Sequence, residues 1–160
     1  MTFATYEKSG RVATVTLNRP ESRNAIATPQ DCDDLASALQ RAADDRDINV
    51  VILTGAGKTF CAGGDLKSTR ERTGIGPQSP PDATRLNYRR GVHAVIRALA
   101  DVEVATIAAI NGHAMGLGLD IATLCDIRIA GESTKVASNF VKVGIIPGDG
   151  GAWILTNAIG

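Results

Sequence analysis

Two glycine-rich stretches carry the residue types that could hold a reacting carbonyl group. One is Phe60-Cys61-Ala62-Gly63-Gly64-Asp65-Leu66. The other is Asn111-Gly112-His113-Ala114-Met115-Gly116-Leu117-Gly118-Leu119-Asp120. Each follows an apolar run and precedes a helical pattern. Glycine lets backbone approach a ligand closely, and a helix start presents free N–H groups at the positive end of its dipole. Two such starts facing one point would form an oxyanion hole. The residues leave a second reading open, in which these are two ordinary tight turns.

Other chemistries fail on spacing. Gly57-Lys58-Thr59 has the end of a phosphate-binding loop, but the first glycine of that pattern would fall at Ile52. Gly116-Leu117-Gly118 starts like a dinucleotide fingerprint, but the third glycine position holds Ile121. No Gly-x-Ser-x-Gly elbow occurs. His93 and His113 build no metal cluster with Cys32, Cys61 and Cys125, so no metal is expected. His113 reads as a packed loop histidine. His93 receives no role.

The whole chain sets further bounds. Its 160 residues suit a single domain, and 17 basic residues cancel 17 acidic ones. A neutral chain with 4% aromatics lacks the field and the stacking platforms of a nucleic-acid binder. Three separated cysteines fit reduced thiols in a cytoplasmic protein. No apolar run has the ~18 residues of a membrane span, and the N-terminus does not read as a signal peptide.

The elements that must position the glycine turns are legible as patterns. Residues 3–8 and 11–18 read as strands around a turn at Ser9-Gly10. Thr28 reads as an N-cap with Pro29 at the first helical position and Asp31 completing a box, opening an amphipathic helix over 29–45. The Asp44-Asp45-Arg46-Asp47 run reads as its solvated end. Val50 to Leu53 is a buried strand ending at Gly55, and Val104 to Ile110 is another, broken by Asn111-Gly112. Together they suggest a parallel α/β layout. Residues 73–82 read as a mobile loop lying over a pocket, and 83–100 as one helix. A short helix runs from Leu117 to before Asp126, then a strand from Ile127 to Ala130. A helical turn around Phe140 and a last helix from Ala152 complete the reading.

Five linked segments carry a family resemblance. They are Asn18-Arg19-Pro20 with Asn24-Ala25, the stretch 60–66, the stretch 111–118, Cys125-Asp126, and Gly144-Ile145-Ile146-Pro147-Gly148. In order and interval they resemble the crotonase superfamily, the enoyl-CoA hydratase/isomerase family, over residues 3–160. The resemblance implies an α/β spiral of β-β-α turns assembled as a homotrimer or a dimer of trimers. The family continues for about a hundred further residues of helices, which are absent from this chain.

What the resemblance implies about chemistry is specific. The substrate is an acyl-CoA thioester, with coenzyme A as part of the substrate and no other cofactor. Its carbonyl is polarised by the backbone amides of Gly64 and Leu117. The coenzyme arm runs along Ala25, Ala62, Gly63, Leu66 and Gly116, with Arg23 and Lys67 as phosphate partners. Asp65 caps the helix that starts at Leu66. The first glutamate of the family's hydratases corresponds to Asp120. The second corresponds to Phe140, which cannot move a proton and sits instead as a substrate contact. Asp149 is the other candidate carboxylate. The expected activity is of the enoyl-CoA hydratase/isomerase type, with Asp120 and Asp149 as acid and base. Acyl-CoA or β-diketone hydrolysis or decarboxylation on the same scaffold is the alternative, as is a non-catalytic assembly subunit.

Overall fold

A computed structural model describes residues 2–78 and 80–160. Ser79, inside the expected pocket loop, lies outside the described residues. After an opening hairpin and helix, the chain repeats one unit, in which a strand of a large sheet is followed by a strand of a small sheet and then by helix. The opening hairpin pairs β1 (Ala4–Ser9) with β2 (Val12–Leu17) in antiparallel register. Its turn needs Gly10 at φ +58°. Helix α1 (Pro29–Asp44) follows. The next turn holds β3 (Val50–Gly55), β4 (Thr59–Cys61) and helices α2 (Leu66–Glu71), α3 (Pro81–Arg90) and α4 (Val92–Ala100). Then come β5 (Ala105–Ile110), β6 (His113–Met115) and α5 (Leu117–Leu124). The last turn holds β7 (Ile127–Ala130), β8 (Val136–Ala137), a 3-10 turn over Phe140–Val143, and α6 (Gly151–Ile159).

The large sheet has the order β1-β2-β3-β5-β7, parallel after the first pair, and the small one β4-β6-β8, parallel throughout. Each parallel step requires a helical crossover, so alternation between the sheets winds the chain into a spiral. Residues 50–54, alternating half-buried and buried, lie between β2 and β5. Val15, Leu17, Val51, Leu53 and Leu35 meet in one apolar core.

Side-chain staples hold this winding. The Asn111 amide donates to the carbonyls of Gly55 and Gly57 at 2.7 and 3.0 Å and accepts from the Gly55 amide at 3.1 Å. It ties the end of β5 to the end of β3. Asn24, fully buried at φ +56°, donates to the carbonyls of Ala56, Thr59 and Phe60 and accepts from the Arg19 amide. Asp126 accepts from both the amide and the hydroxyl of Thr106 at 2.8 Å.

Thr28 caps α1 in a full capping box with Asp31, as its sequence predicts. Asp31 also takes the Arg19 guanidinium in a two-bond pair at 2.6 and 2.7 Å, and the amides of Ala27 and Thr28. Burial alone would raise the Asp31 carboxyl; Arg19 and the two amides outweigh it and hold it below its ordinary value. A depressed carboxyl stabilises the fold above its unfolded-state pKa, and that stability is lost as pH falls through the folded-state value. Asp31→Ala is expected to cost about 2–3 kcal/mol at neutral pH through the broken pair and cap. Urea melts should show this deficit shrinking as pH falls below the ordinary aspartate value of 3.8; a deficit independent of pH would exclude the charged pair as its source.

Two expectations need correction. The helix expected over 83–100 is two helices broken at Gly91, whose φ −100° and ψ −97° are not helical. A Cβ there would sit 2.9 Å from the Asn87 carbonyl and 3.4 Å from Cys32 Sγ, so the glycine lets α4 close onto α1. The expected 73–82 loop ends earlier, because Pro81 and Asp82 open α3. Within it, Ile75 is buried and its amide donates to the Ala27 carbonyl at 3.0 Å.

Candidate active site

The two glycine turns abut. An added Cβ on Gly63, at φ +86°, would stand 2.5 Å from the Met115 carbonyl and 3.4 Å from the Leu117 nitrogen. An added Cβ on Gly118 would meet the Cys61 carbonyl at 2.4 Å. Only glycine at these positions permits such backbone contact. Cys61 packs between the turns, donating its thiol to the Asn24 carbonyl and accepting from the Gly63 amide at 3.4 Å. Burial pushes its thiol up to about 12, so it is not a nucleophile at neutral pH.

Hydrogen bonding decides which way each amide points. Residues 62–65 run alongside 23–26. Ala62 N donates to the Arg23 carbonyl, Ile26 N to the Gly63 carbonyl, and Asp65 N to the Ile26 carbonyl. Ile26 bridges Gly64 in parallel register, bonding the carbonyl before it and the amide after it, so the Gly64 N–H points away from this ladder. Leu117 opens α5 behind Gly116, whose φ +50° turns the chain into the helix and whose own amide is tied to the Ala137 carbonyl. A first-turn N–H has no intrahelical acceptor. Among the described residues neither the Gly64 nor the Leu117 amide is spent on a protein acceptor.

Both residues line one cleft of about 660 Å³, counting its open mouth. Ala62, Gly63, Leu66, Gly116 and Phe140, all expected site residues, are in its wall, and so is Asp149. Asp65 caps α2, accepting from Ser68 N at 2.7 Å. Sequence reading missed Thr69, Ile75, Tyr88, Val92, Asn139, Val143, Ile145 and Gly148 in the wall. Tyr88 and Val92 were within a helix already recognised; which of its faces meets the cleft is fixed by the break at Gly91.

Four expected residues lie elsewhere. Asp120 is fully buried and is not in the cleft wall. Its carboxyl lies against Gly151, where a Cβ would come within 2.3 Å of Oδ2. Arg23 borders a neighbouring groove with Lys58 and His113, joined to the cleft at Ala62. Ala25 is buried, and its amide donates to the Ser22 carbonyl. Lys67 lines a shallow surface depression with Leu66, Arg70 and Val143.

The two carboxyls define the acid–base character. Neither Asp120 oxygen meets a donor among the described residues, and the group set against it is the Asp149 carboxyl. Two carboxylates are both acceptors, so they can bond only if one holds a proton. Burial, and then the Asp149 charge, push the Asp120 carboxyl well above the ordinary carboxylate range. Asp149 Oδ1 in turn accepts from Gly151 N at 3.2 Å. A raised carboxyl favours the fold below its unfolded-state pKa, and that contribution is lost as pH rises through the folded-state value. Asp120→Asn removes this loss. Its stability relative to the parent chain is expected to climb from pH 4 to pH 8, by up to about 1.4 kcal/mol per pH unit. Thermal melts across that range that stay parallel would show that Asp120 is not the proton-holding group.

A two-sheet β-β-α spiral whose glycine turns meet over an apolar cleft defines the crotonase fold. The enoyl-CoA hydratase from Bacillus anthracis superposes with a TM-score of 0.86 at 30% identity, over 99% of this chain and 59% of that one. The enoyl-CoA hydratase/isomerase family model matches residues 7–160. The chain belongs to the enoyl-CoA hydratase/isomerase family. Among its relatives, the "Probable enoyl-CoA hydratase EchA14" of Mycobacterium tuberculosis is 40% identical over 93% of this chain and 55% of its own length. The 1,2-epoxyphenylacetyl-CoA isomerase of Escherichia coli is 37% identical over the same shares. The chain thus spans little more than half the length of these relatives.

Proposed function

We propose that this protein processes acyl-CoA thioesters by enoyl-type chemistry, moving a proton between carbons of the acyl chain. The observation that carries this reading is the meeting of two unspent amides and a buried carboxylate in one apolar cleft. The thioester oxygen sits between the Gly64 and Leu117 N–H groups, which hold the negative charge that develops when a neighbouring carbon loses its proton. Asp149 takes that proton and returns it to a different carbon, which shifts the double bond. Asp120 lies behind it and holds the second proton of the pair. The coenzyme arm leaves past Ala62 toward Arg23, with Gly63, Leu66 and Gly116 framing it.

Phe140 favours isomerisation over two-glutamate hydration. An aromatic ring in the cleft wall can pack against an acyl chain but cannot position a water. Association into trimers or pairs of trimers belongs to the same proposal. It is supported by the exposed apolar side chains of Ile129, Val141, Ile146 and Trp153, and sedimentation of the chain tests it.

Mass spectrometry of products from short, medium and aromatic enoyl-CoAs tests the reaction. An isomer of unchanged mass is expected. Addition of one water would indicate hydration, release of free coenzyme A or carbon dioxide would indicate the alternatives, and no turnover would indicate a non-catalytic subunit.

A further inference from the structure

We infer that His93 is a positioning residue, whose ring N–H seats the turn that presents Asp149 to the cleft. The inference rests on the acid–base role proposed for Asp149. That carboxylate stands in the irregular segment between the Phe140–Val143 turn and α6, where no sheet or helix fixes it. Its neighbour Gly148 is held from outside the segment. His93 Nε2 lies 2.6 Å from the Gly148 carbonyl oxygen. A carbonyl oxygen only accepts, so Nε2 carries the hydrogen and donates it.

Tyr88 completes the seat. Its ring meets the His93 ring edge-on, with centroids 5.9 Å apart at 74°. Its edge also fills the space beside Gly148, where an added Cβ would stand 2.9 Å from Cε1. Burial, and then the Asp149 charge, raise the Tyr88 phenol, consistent with its place beside that carboxylate. In a continuous helix, residues five apart point about 140° from one another. The break at Gly91 rotates α4 against α3 and brings Tyr88 and His93 onto the same turn. On the far side Gly151 N holds Asp149 Oδ1. The carboxylate is therefore gripped at both ends of its turn.

His93→Ala tests the seat and His93→Gln, which offers an N–H at similar reach, tests its chemistry. For an accepted enoyl-CoA, His93→Ala is expected to lower kcat about 10- to 100-fold with KM within about twofold, since a misplacement of about 1 Å costs that much. His93→Gln should recover most of the loss. Hydrogen exchange at the Gly151 amide should quicken in the alanine variant and return in the glutamine variant, with the melting temperature unchanged in both. Unaltered kcat in His93→Ala, or a loss that His93→Gln does not repair, overturns the inference. If the alanine variant does not fold, Gly148→Ala, which presses on Tyr88 from the other side, must lower kcat in the same way or the seat is wrong. If the parent chain turns over no acyl-CoA, the proposed reaction falls, while Gly151 exchange still decides the seat: unchanged exchange in His93→Ala overturns it.

Discussion

Asp149→Asn is expected to lower kcat on an accepted enoyl-CoA by about 10²- to 10⁴-fold, the range for removal of a positioned acid or base. The substitution keeps the side chain's size and its acceptor for Gly151 N, so the turn and the cleft wall persist. It also gives Asp120 a donor, where the parent chain sets one carboxyl against another. The variant should therefore fold at least as well as the parent above neutral pH, and should bind the same thioester with unchanged Kd. Loss of the proton-moving group without loss of affinity separates chemistry from binding. Turnover within threefold of the parent would remove Asp149 from the reaction and leave it an acceptor for the Gly151 amide.

Gly64→Pro and Leu117→Pro should each lower kcat about 10²- to 10³-fold, equivalent to about 2.7–4 kcal/mol of transition-state stabilisation. Proline deletes one N–H and leaves the rest of the backbone in place where the φ angle suits it. Leu117 is the more telling site. It is the first residue of α5, where proline is well tolerated because that N–H has no helical acceptor. A protein that uses this amide must lose activity there without losing its helix. Circular dichroism with kinetics on an enoyl-CoA reads both. Full activity in Leu117→Pro, with α5 intact, would mean that the carbonyl oxygen is held elsewhere.

The carboxyls illustrate how spacing and geometry divide the argument. Asp120 follows Leu117 by three residues, which places it on the same helical face, and the resemblance to crotonases aims it at the acyl chain. The fold turns it beneath Gly151 instead, and Asp149, twenty-nine residues on, takes the place in the cleft wall. No local pattern records that pairing, because it depends on how α6 crosses the start of α5. The small sheet was equally silent. Its strands of two and three residues are too short to show a period of two.

By itself the sequence determined the large-sheet strands, the main helices and the family. The Thr28–Asp31 box, the buried runs at 50–53 and 104–110 and the paired glycine turns are local signals, written in capping chemistry, β-branched residues and residues able to take positive φ. Tertiary structure alone decided which groups meet. Whether the Gly64 amide is free depends on the ladder between 62–65 and 23–26. Which face of α3 and α4 reaches the cleft depends on the angle at Gly91. Which carboxyl reaches the cleft wall and which is sealed behind it depends on a glycine thirty-one residues from Asp120. Those relations are set by contacts between distant segments, and sequence spacing carries no term for them.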